Sequence, residues 1–147
     1  MLNFPGVDEC IQVGDINDLT DWQQALAGVD TVIHLAARVH IMNDSAADPI
    51  EAFRTVNVFG TQRLALMAAK VGVKRFIFIS SVKVNGEGAL RSYTEKDIPE
   101  PQDAYGISKR EAEDILTCIA AQTRLQIVVL RLPLVYGPGV KDRKSVV

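Results

Sequence analysis

The chain has 147 residues, 48% apolar and 23% charged, with 16 Lys plus Arg against 18 Asp plus Glu and a formal net charge of −2. That length fits one domain able to bury about 70% of its unfolded surface, and the composition excludes global disorder. The near-balanced charge gives no electrostatic reason for nucleic acid or an anionic membrane as partner, and the apolar runs, such as Phe76–Ile79 and Ile127–Leu130, are strand-sized and too short to span a membrane.

Short β-branched runs alternate with longer helical patterns, the signature of βαβ units and a parallel sheet covered on both faces. Glu9–Val13 reads as the first strand, stopped by Gly14 and Asp15. A helix follows, capped by Asp18, with Trp22, Ala25 and Leu26 on its buried face and Gly28 at its end. Thr31–Leu35 reads as a central strand, because it is apolar throughout. After a loop over 38–48, Asp48 caps a long helix at 49–70 that Pro49 opens and Gly72 terminates. Arg75–Ser80 is the next strand. The segment 82–104, with Gly86, Gly88, Pro99 and Pro101, is an irregular stretch of the length usually reserved for function or mobility. A helix at 104–123 and a strand at Gln126–Arg131 follow, then Pro133, a Tyr136-Gly137-Pro138-Gly139 turn and a charged tail, Lys141–Lys144.

Met1–Cys10 has neither the basic nor the apolar stretch of a signal peptide. Cys10 and Cys118 stand far apart with no CxxC and read as reduced core residues of a cytoplasmic protein. His34 and His40 lack partners at zinc spacing, so no metal is expected. In the long helix, Asn57 and Gly60 interrupt the apolar stripe of Ile50, Phe53, Leu64, Met67 and Val71. An amide inside a packed face needs a partner or costs about 1–3 kcal/mol. Asn57 therefore marks either a tight crossing or a side chain that holds the backbone of a site. Further apolar positions, Val56, Phe59 and Leu66 on one helix and Ile115, Leu116 and Ile119 on the other, suggest a homodimer through helices 49–70 and 104–123.

Three groups carry candidate chemistry. Tyr105 and Lys109, four residues apart, share one face of a helix. The pKa of a phenol, about 10, must fall by roughly 3 units, about 4 kcal/mol, for it to be half ionised at pH 7, and a cation within about 4–6 Å supplies part of that. Accidental spacing on an amphipathic helix is the plain alternative. Ser80 and Ser81 end a strand, where ligands of open parallel sheets bind; they could equally hydrogen-bond their own backbone. Asp15 also follows a strand, in a setting that suits a turn.

Together these segments resemble the NAD-dependent epimerase/dehydratase family, the extended short-chain dehydrogenase/reductases acting on nucleotide sugars. Val13-Gly14-Asp15-Ile16 resembles the segment after the family's third strand, and Val32–Ala37 the fourth strand and the turn along the cofactor. Asn57-Val58, Gly60 and Thr61 resemble its helix motif, Arg75–Ser81 its fifth strand, and Tyr105-Gly106-Ile107-Ser108-Lys109 its Tyr-x-x-x-Lys pair. Arg131–Gly139 resembles the strand and loop that lead into the substrate domain. The resemblance implies a partial NAD(P)-binding Rossmann-type α/β domain over 1–147, a doubly wound parallel sheet that lacks the first βαβ unit, the glycine-rich loop and the substrate domain. It implies hydride exchange between NAD and sugar C4, NADP not being excluded, with a nucleoside-diphosphate sugar as partner. Tyr105 would be the general base, Lys109 would lower its pKa, and Ser81 would hydrogen-bond the reacting oxygen. Asp15, Ile16, Leu35, Ala36, Ala37, Arg38, Asn57, Ser80, Tyr105, Lys109 and Pro133 would meet the cofactor. Lys83 and Asn85 would face the sugar.

The finer resemblance is to bacterial UDP-sugar 4-epimerases and 4-keto-sugar reductases of surface-polysaccharide synthesis. The better-known epimerases more often carry Thr and Tyr at positions 83 and 85, and many relatives carry Asn at 134. No G-x-G-x-x-G or G-x-x-G-x-x-G occurs in the chain. The strand at Glu9–Val13 is then expected to lack a local partner and the edge of Thr31–Leu35 to be open, in a truncated copy of the enzyme. Two other readings stay open. One is a chain with no catalysis of its own, a remnant or an interaction module. The other is a relative acting on a 3β-hydroxysteroid or another hydrophobic ketone.

Overall fold

The computed structural model describes residues 6–39, 48–88 and 91–135. His40, the Tyr136–Gly139 turn and the charged tail lie outside the described residues. The elements run β1 (Thr31–His34), α1 (Pro49–Arg54), a π-helical turn (Thr55–Gly60), α2 (Thr61–Val71), β2 (Arg75–Ser81), a 3₁₀ turn (Val82–Val84), α3 (Ala104–Gln122) and β3 (Gln126–Leu132). The three strands form one sheet in the order β1-β2-β3, and both pairings are parallel. Parallel neighbours cannot be joined by a tight turn, so the long helix crosses between β1 and β2 and α3 between β2 and β3.

Local chemistry explains the helix ends. Asp48 caps α1 by accepting from the Glu51 N–H at 3.4 Å, and Pro49, which has no N–H to lose, stands in the first turn. Gly72 ends α2 in the left-handed region. Asp103 caps α3, its Oδ1 accepting from the Gly106 N–H at 2.6 Å.

Register places Val32, Phe76 and Ile127 in one row across the sheet and His34, Phe78 and Val129 in the next. Phe76 and Phe78 are fully buried on this face, against Leu64, Ala65 and Ala68 of α2, Ala112, Leu116 and Ile119 of α3, and Trp22 and Leu26. Side chains alternate along a strand, so Ile33, Val128 and Leu130 point to the other face. They are 57%, 38% and 41% exposed. Among the described residues, then, the expected cover on both faces is present on one.

The structure corrects several local expectations. Glu9–Val13 forms no strand, and Glu9 and Cys10 are exposed. β1 pairs only with β2 among the described strands, so Thr31–His34 is not a central strand but has the open edge expected of a chain without the first βαβ unit. The segment after Asp18 is a series of turns and not a helix, with bonds such as Leu26 N–H to Trp22 O at 2.9 Å and Ala27 N–H to Gln24 O at 3.2 Å. A stretch this short does not sustain helical cooperativity by itself. Asp21, not Asp18, caps its first turn, accepting from the Gln23 N–H at 2.9 Å. Trp22 and Leu26 are nevertheless buried as the pattern required. Cys10 and Cys118 are exposed rather than in the core, since Cys10 lies in the unpaired segment and Cys118 on the solvent side of α3. Leu116 and Ile119 are used by the core and are not spare surface, whereas Phe59 and Leu66 remain 39% and 47% exposed.

Gly60 closes the π-helical turn against the chain before Asn17. A Cβ there would stand 2.5 Å from Ile16 Cγ2 and 3.4 Å from the Asn17 nitrogen. Ile is stiff at χ1 and cannot swing this methyl aside cheaply. Gly60→Ala is expected to destabilise the fold by about 1–3 kcal/mol, the usual cost of overpacking; urea denaturation followed by Trp22 fluorescence measures it.

Candidate functional site

The carboxyl ends of β1 and β2 and the first turns of α3 converge. Ser81, the last residue of β2, accepts from the Lys83 N–H at 3.2 Å and so starts the 3₁₀ turn. Tyr105 stands in the first turn of α3, its ring 6.2 Å from that of Phe53 and edge-on. The helix start approaches the 3₁₀ turn so closely that a Cβ on Gly106 would lie 2.9 Å from the Lys83 carbonyl oxygen. This approach brings the Tyr105 phenol close enough to the Ser81 hydroxyl for Ser81 to act on its pKa.

Burial, and then the Asp103 carboxylate, hold the Tyr105 phenol above the ordinary phenol range; Ser81 and Lys83 oppose them. Lys109 is not among the opposing groups. Its side chain turns inward instead, placing Nζ 4.2 Å from the centre of the Phe78 ring. Lys109 is 2% exposed. Burial lowers its pKa to about 8, against the pull of Glu113.

Asn57 sits on the π-helical turn and is buried. Its Oδ1 accepts from the Arg38 N–H at 2.8 Å, and its Nδ2 donates to the Arg38 carbonyl at 3.0 Å and to Ser108 Oγ at 2.9 Å. Ser108 in turn donates to the Tyr105 carbonyl at 2.8 Å. One amide therefore fixes the chain leaving β1, where Leu35–Arg38 run without regular structure, to the helix that carries Tyr105 and Lys109. Leu35 is 70% exposed there, and the Arg38 guanidinium lies 5.6 Å from the centre of the Phe53 ring.

The other expected positions are distributed as follows. Ser80 is buried and donates to Glu113 Oε1 at 2.6 Å. Lys83 forms ion pairs with Asp103 at 2.6 Å and Glu87 at 2.7 Å. Asn85 is only 6% exposed; its Oδ1 accepts from Arg131 Nη1 at 3.3 Å, and its Nδ2 has no protein partner among the described residues. Asp15 is exposed in the turn before Thr20, whose hydroxyl donates to the Asp15 carbonyl at 2.8 Å. Ile16 packs against Gly60, and Pro133 is exposed just beyond β3. Ser81, Tyr105, Lys109, Asn57 and the Arg38 backbone are thus joined. Asp15 and Pro133 have no link to them.

Sequence reasoning missed four residues that hold this arrangement: His34, Asp103, Glu113 and Arg131. His34 Nε2 and Thr61 Oγ1 are 2.9 Å apart. Burial, then the Lys109 charge, lower the His34 pKa to about 4, so the ring is neutral. The available signals were an arginine inside the apolar run of β3 and a glutamate four residues beyond Lys109.

Residues 5–147 match the sequence profile of the NAD dependent epimerase/dehydratase family. The chain is 48% identical over 132 residues to a UDP-glucose 4-epimerase of Vibrio cholerae, covering 88% of this chain and 40% of that protein. A UDP-glucuronic acid 4-epimerase from Bacillus cereus, solved in complex with NAD, superposes with a TM-score of 0.75 at 30% identity, over 85% of this chain and 39% of that one. The structure of RMD from Pseudomonas aeruginosa complexed with NADPH superposes with a TM-score of 0.68 at 30% identity, over 77% and 39%. The chain thus spans about 40% of the length of these relatives, and its three parallel strands form a Rossmann-like unit.

The neutral His34 makes a pH prediction. With a folded pKa of about 4 against an ordinary 6.5, the unfolded chain takes up the proton first as pH falls. Stability is therefore lost from pH 6.5 down to 4, by about 3 kcal/mol in all. Urea denaturation at the two pH values should show this loss, and His34→Leu should remove that component of it. Asn57→Ala, which strips the Arg38 backbone and Ser108 of their partner, should cost about 2–4 kcal/mol in the same assay.

Proposed function

The chain belongs to the NAD dependent epimerase/dehydratase family, and we propose that it is the part of a nucleotide-sugar epimerase or dehydratase that brings Ser81, Tyr105 and Lys109 to C4 of a UDP-sugar, with NAD as cofactor. The observation that carries this reading is the Ser81–Tyr105 hydroxyl pair at the end of β2, with the buried Lys109 one helical turn further on.

The residues present fit the nicotinamide-ribose end of such a cofactor. The Tyr105 phenol is the donor beside the strand ends suited to a ribose hydroxyl, and Lys109, one helical turn further on, lies buried over Phe78. The backbone of Arg38, held at both its N–H and its C=O by Asn57, fixes the end of the Leu35–Arg38 segment to the long helix. Asp15 and Ile16 belong to the adenine end in this reading. When bound, NAD supplies the acceptor that takes a hydride from a sugar carbon and returns it.

The chain's own groups handle the proton. Ser81 hydrogen-bonds the reacting sugar oxygen and the phenol together. Tyr105 passes the proton to or from that oxygen. With its pKa held high by burial, the phenol is protonated at neutral pH, and donation to a carbonyl oxygen at C4 is the half of the exchange these residues favour. Lys109, at about 8, is still mainly charged at pH 7 and stabilises any negative charge that develops nearby. Lys83 and Asn85 line the sugar side in this reading, Lys83 through the charge it shares with Asp103 and Glu87.

Saturation-transfer NMR on the 147-residue chain with NAD and UDP-glucose tests the proposal. Transfer to the nicotinamide-ribose and hexose protons is expected. Tyr105→Phe should weaken it by about two- to tenfold, the range of one hydrogen bond of about 0.5–1.5 kcal/mol. Asp15→Ala should reduce transfer to the adenine protons alone. A folded chain that shows no transfer from either ligand would remove this reading.

A further inference from the structure

Glu113 lies on α3 one helical turn beyond Lys109 and two beyond Tyr105. It is 5% exposed, yet its carboxylate is saturated with partners from two other elements. Ser80 Oγ donates to Oε1 at 2.6 Å. Arg131 Nε lies 3.0 Å from Oε1 and 3.2 Å from Oε2, and Arg131 Nη2 donates to Oε2 at 2.6 Å. The Arg131 fork then reaches the loop beyond the 3₁₀ turn, where Nη1 donates to Asn85 Oδ1 at 3.3 Å. Arginine offers only donors, so the amide must present its oxygen to Arg131 and keep its nitrogen for another group.

A buried ion pair is a poor way to gain stability, since matched apolar residues of the same volume do as well or better. The position of this pair gives it another use. Ser80 precedes Ser81 in β2, and its register partner is Arg131. Both are held to the helix that carries Tyr105 and Lys109. We propose that Glu113 is a positioning residue for the Ser81–Tyr105–Lys109 set: its carboxylate fastens the ends of β2 and β3 to the face of α3 and sets a negative charge one turn from Lys109. The inference rests on the reading of those three residues as the reacting groups, but its test needs no ligand.

The groups that act on Lys109 are His34 from β1 and Glu113 from α3, with Arg131 from β3 and Arg110 from α3 behind Glu113, Arg110 Nη1 standing 3.9 Å from Glu113 Oε2. Asp103 and Lys83 act on Tyr105 with Ser81. The neutral His34 adds no charge, so Glu113 is the group that keeps Lys109 protonated against burial.

The experiment is a pair of NMR titrations on the 147-residue chain, of the Lys109 Cε and Tyr105 Cζ signals. Each is assigned by single substitution in a ¹³C-labelled sample. In Glu113→Gln the Lys109 midpoint is expected to fall by about one pH unit. The Tyr105 midpoint is expected to rise as Ser81 loses its fixed place. Glu113→Asp, which keeps the charge, should hold Lys109 within a few tenths of a unit. If Glu113→Gln does not fold, the double variant Glu113→Gln/Arg131→Met, which removes both members of the Glu113–Arg131 ion pair, is judged on Tyr105 alone, whose midpoint should again rise. Unchanged midpoints of both groups in folded Glu113→Gln, or of Tyr105 in the double variant, would reduce Glu113 to a structural ion pair and overturn the proposal. That result would leave ligand binding at Ser81 and Tyr105 untouched.

Discussion

Everything at the strand ends depends on how one buried amide is satisfied. Asn57 interrupts an otherwise apolar helix face, and in that position it must find partners or destabilise the fold. It finds them on two separate stretches of chain, the backbone at Arg38 and the hydroxyl of Ser108. Because both the N–H and the C=O of Arg38 are engaged, the peptide chain leaving β1 cannot rotate freely. Because Ser108 passes the connection to the Tyr105 carbonyl, the first turn of α3 is tied to the same point. The π-helical turn sets Asn57 where it can do this.

Around that anchor the buried charges are arranged in complementary sets. Lys109 lies on an aromatic face, with Glu113 one turn away and a histidine beside it that burial keeps neutral. Glu113 itself is matched by Arg131 and Ser80. On the outer side, Lys83 bridges Asp103 and Glu87, so the acidic cap of α3 and the basic 3₁₀ turn hold each other beside Tyr105. Each ionisable group here has a counterpart from another segment, and the position of each depends on the fold as a whole.

Much of this was legible in the sequence. The three strands to within one residue at their ends, the long helix with its Asp48 cap and Gly72 end, and the body of α3 follow from periodicity and terminal residues. The Tyr105, Lys109 and Ser81 grouping follows from spacing and from the place of a strand end. What could not be read is what depends on neighbours distant in sequence. A strand pattern at Glu9–Val13 is real as a pattern, but strand formation needs a hydrogen-bonding neighbour, and periodicity says nothing of one. Cys118 and Leu116 are two residues apart on one helix, one exposed and the other buried, a difference decided by where the sheet lies. Lys109 lies over Phe78 because the core face of Phe76 and Phe78 offers its stem a buried place. Glu113 and Arg131 each left a local signal, a glutamate one turn beyond Lys109 and an arginine in an apolar run, but their pairing across two elements has no signature in the sequence.

The π-helical turn at Thr55–Gly60 also fixes the chain length between two faces. Upstream of it, Phe53 meets Tyr105; downstream, Thr61 meets His34 and Leu64 and Ala65 meet the sheet. A helix advances about 100° per residue, so losing or gaining one residue in this turn would rotate every later side chain of α2 by that angle relative to Phe53. Asn57 could keep its partners or Thr61 could keep His34, but not both. Single-residue insertions and deletions, which loops absorb readily, should therefore be excluded from 55–60 in any working descendant of this sequence, while substitutions on the exposed side of the same turn, at Thr55 and Phe59, remain open to drift.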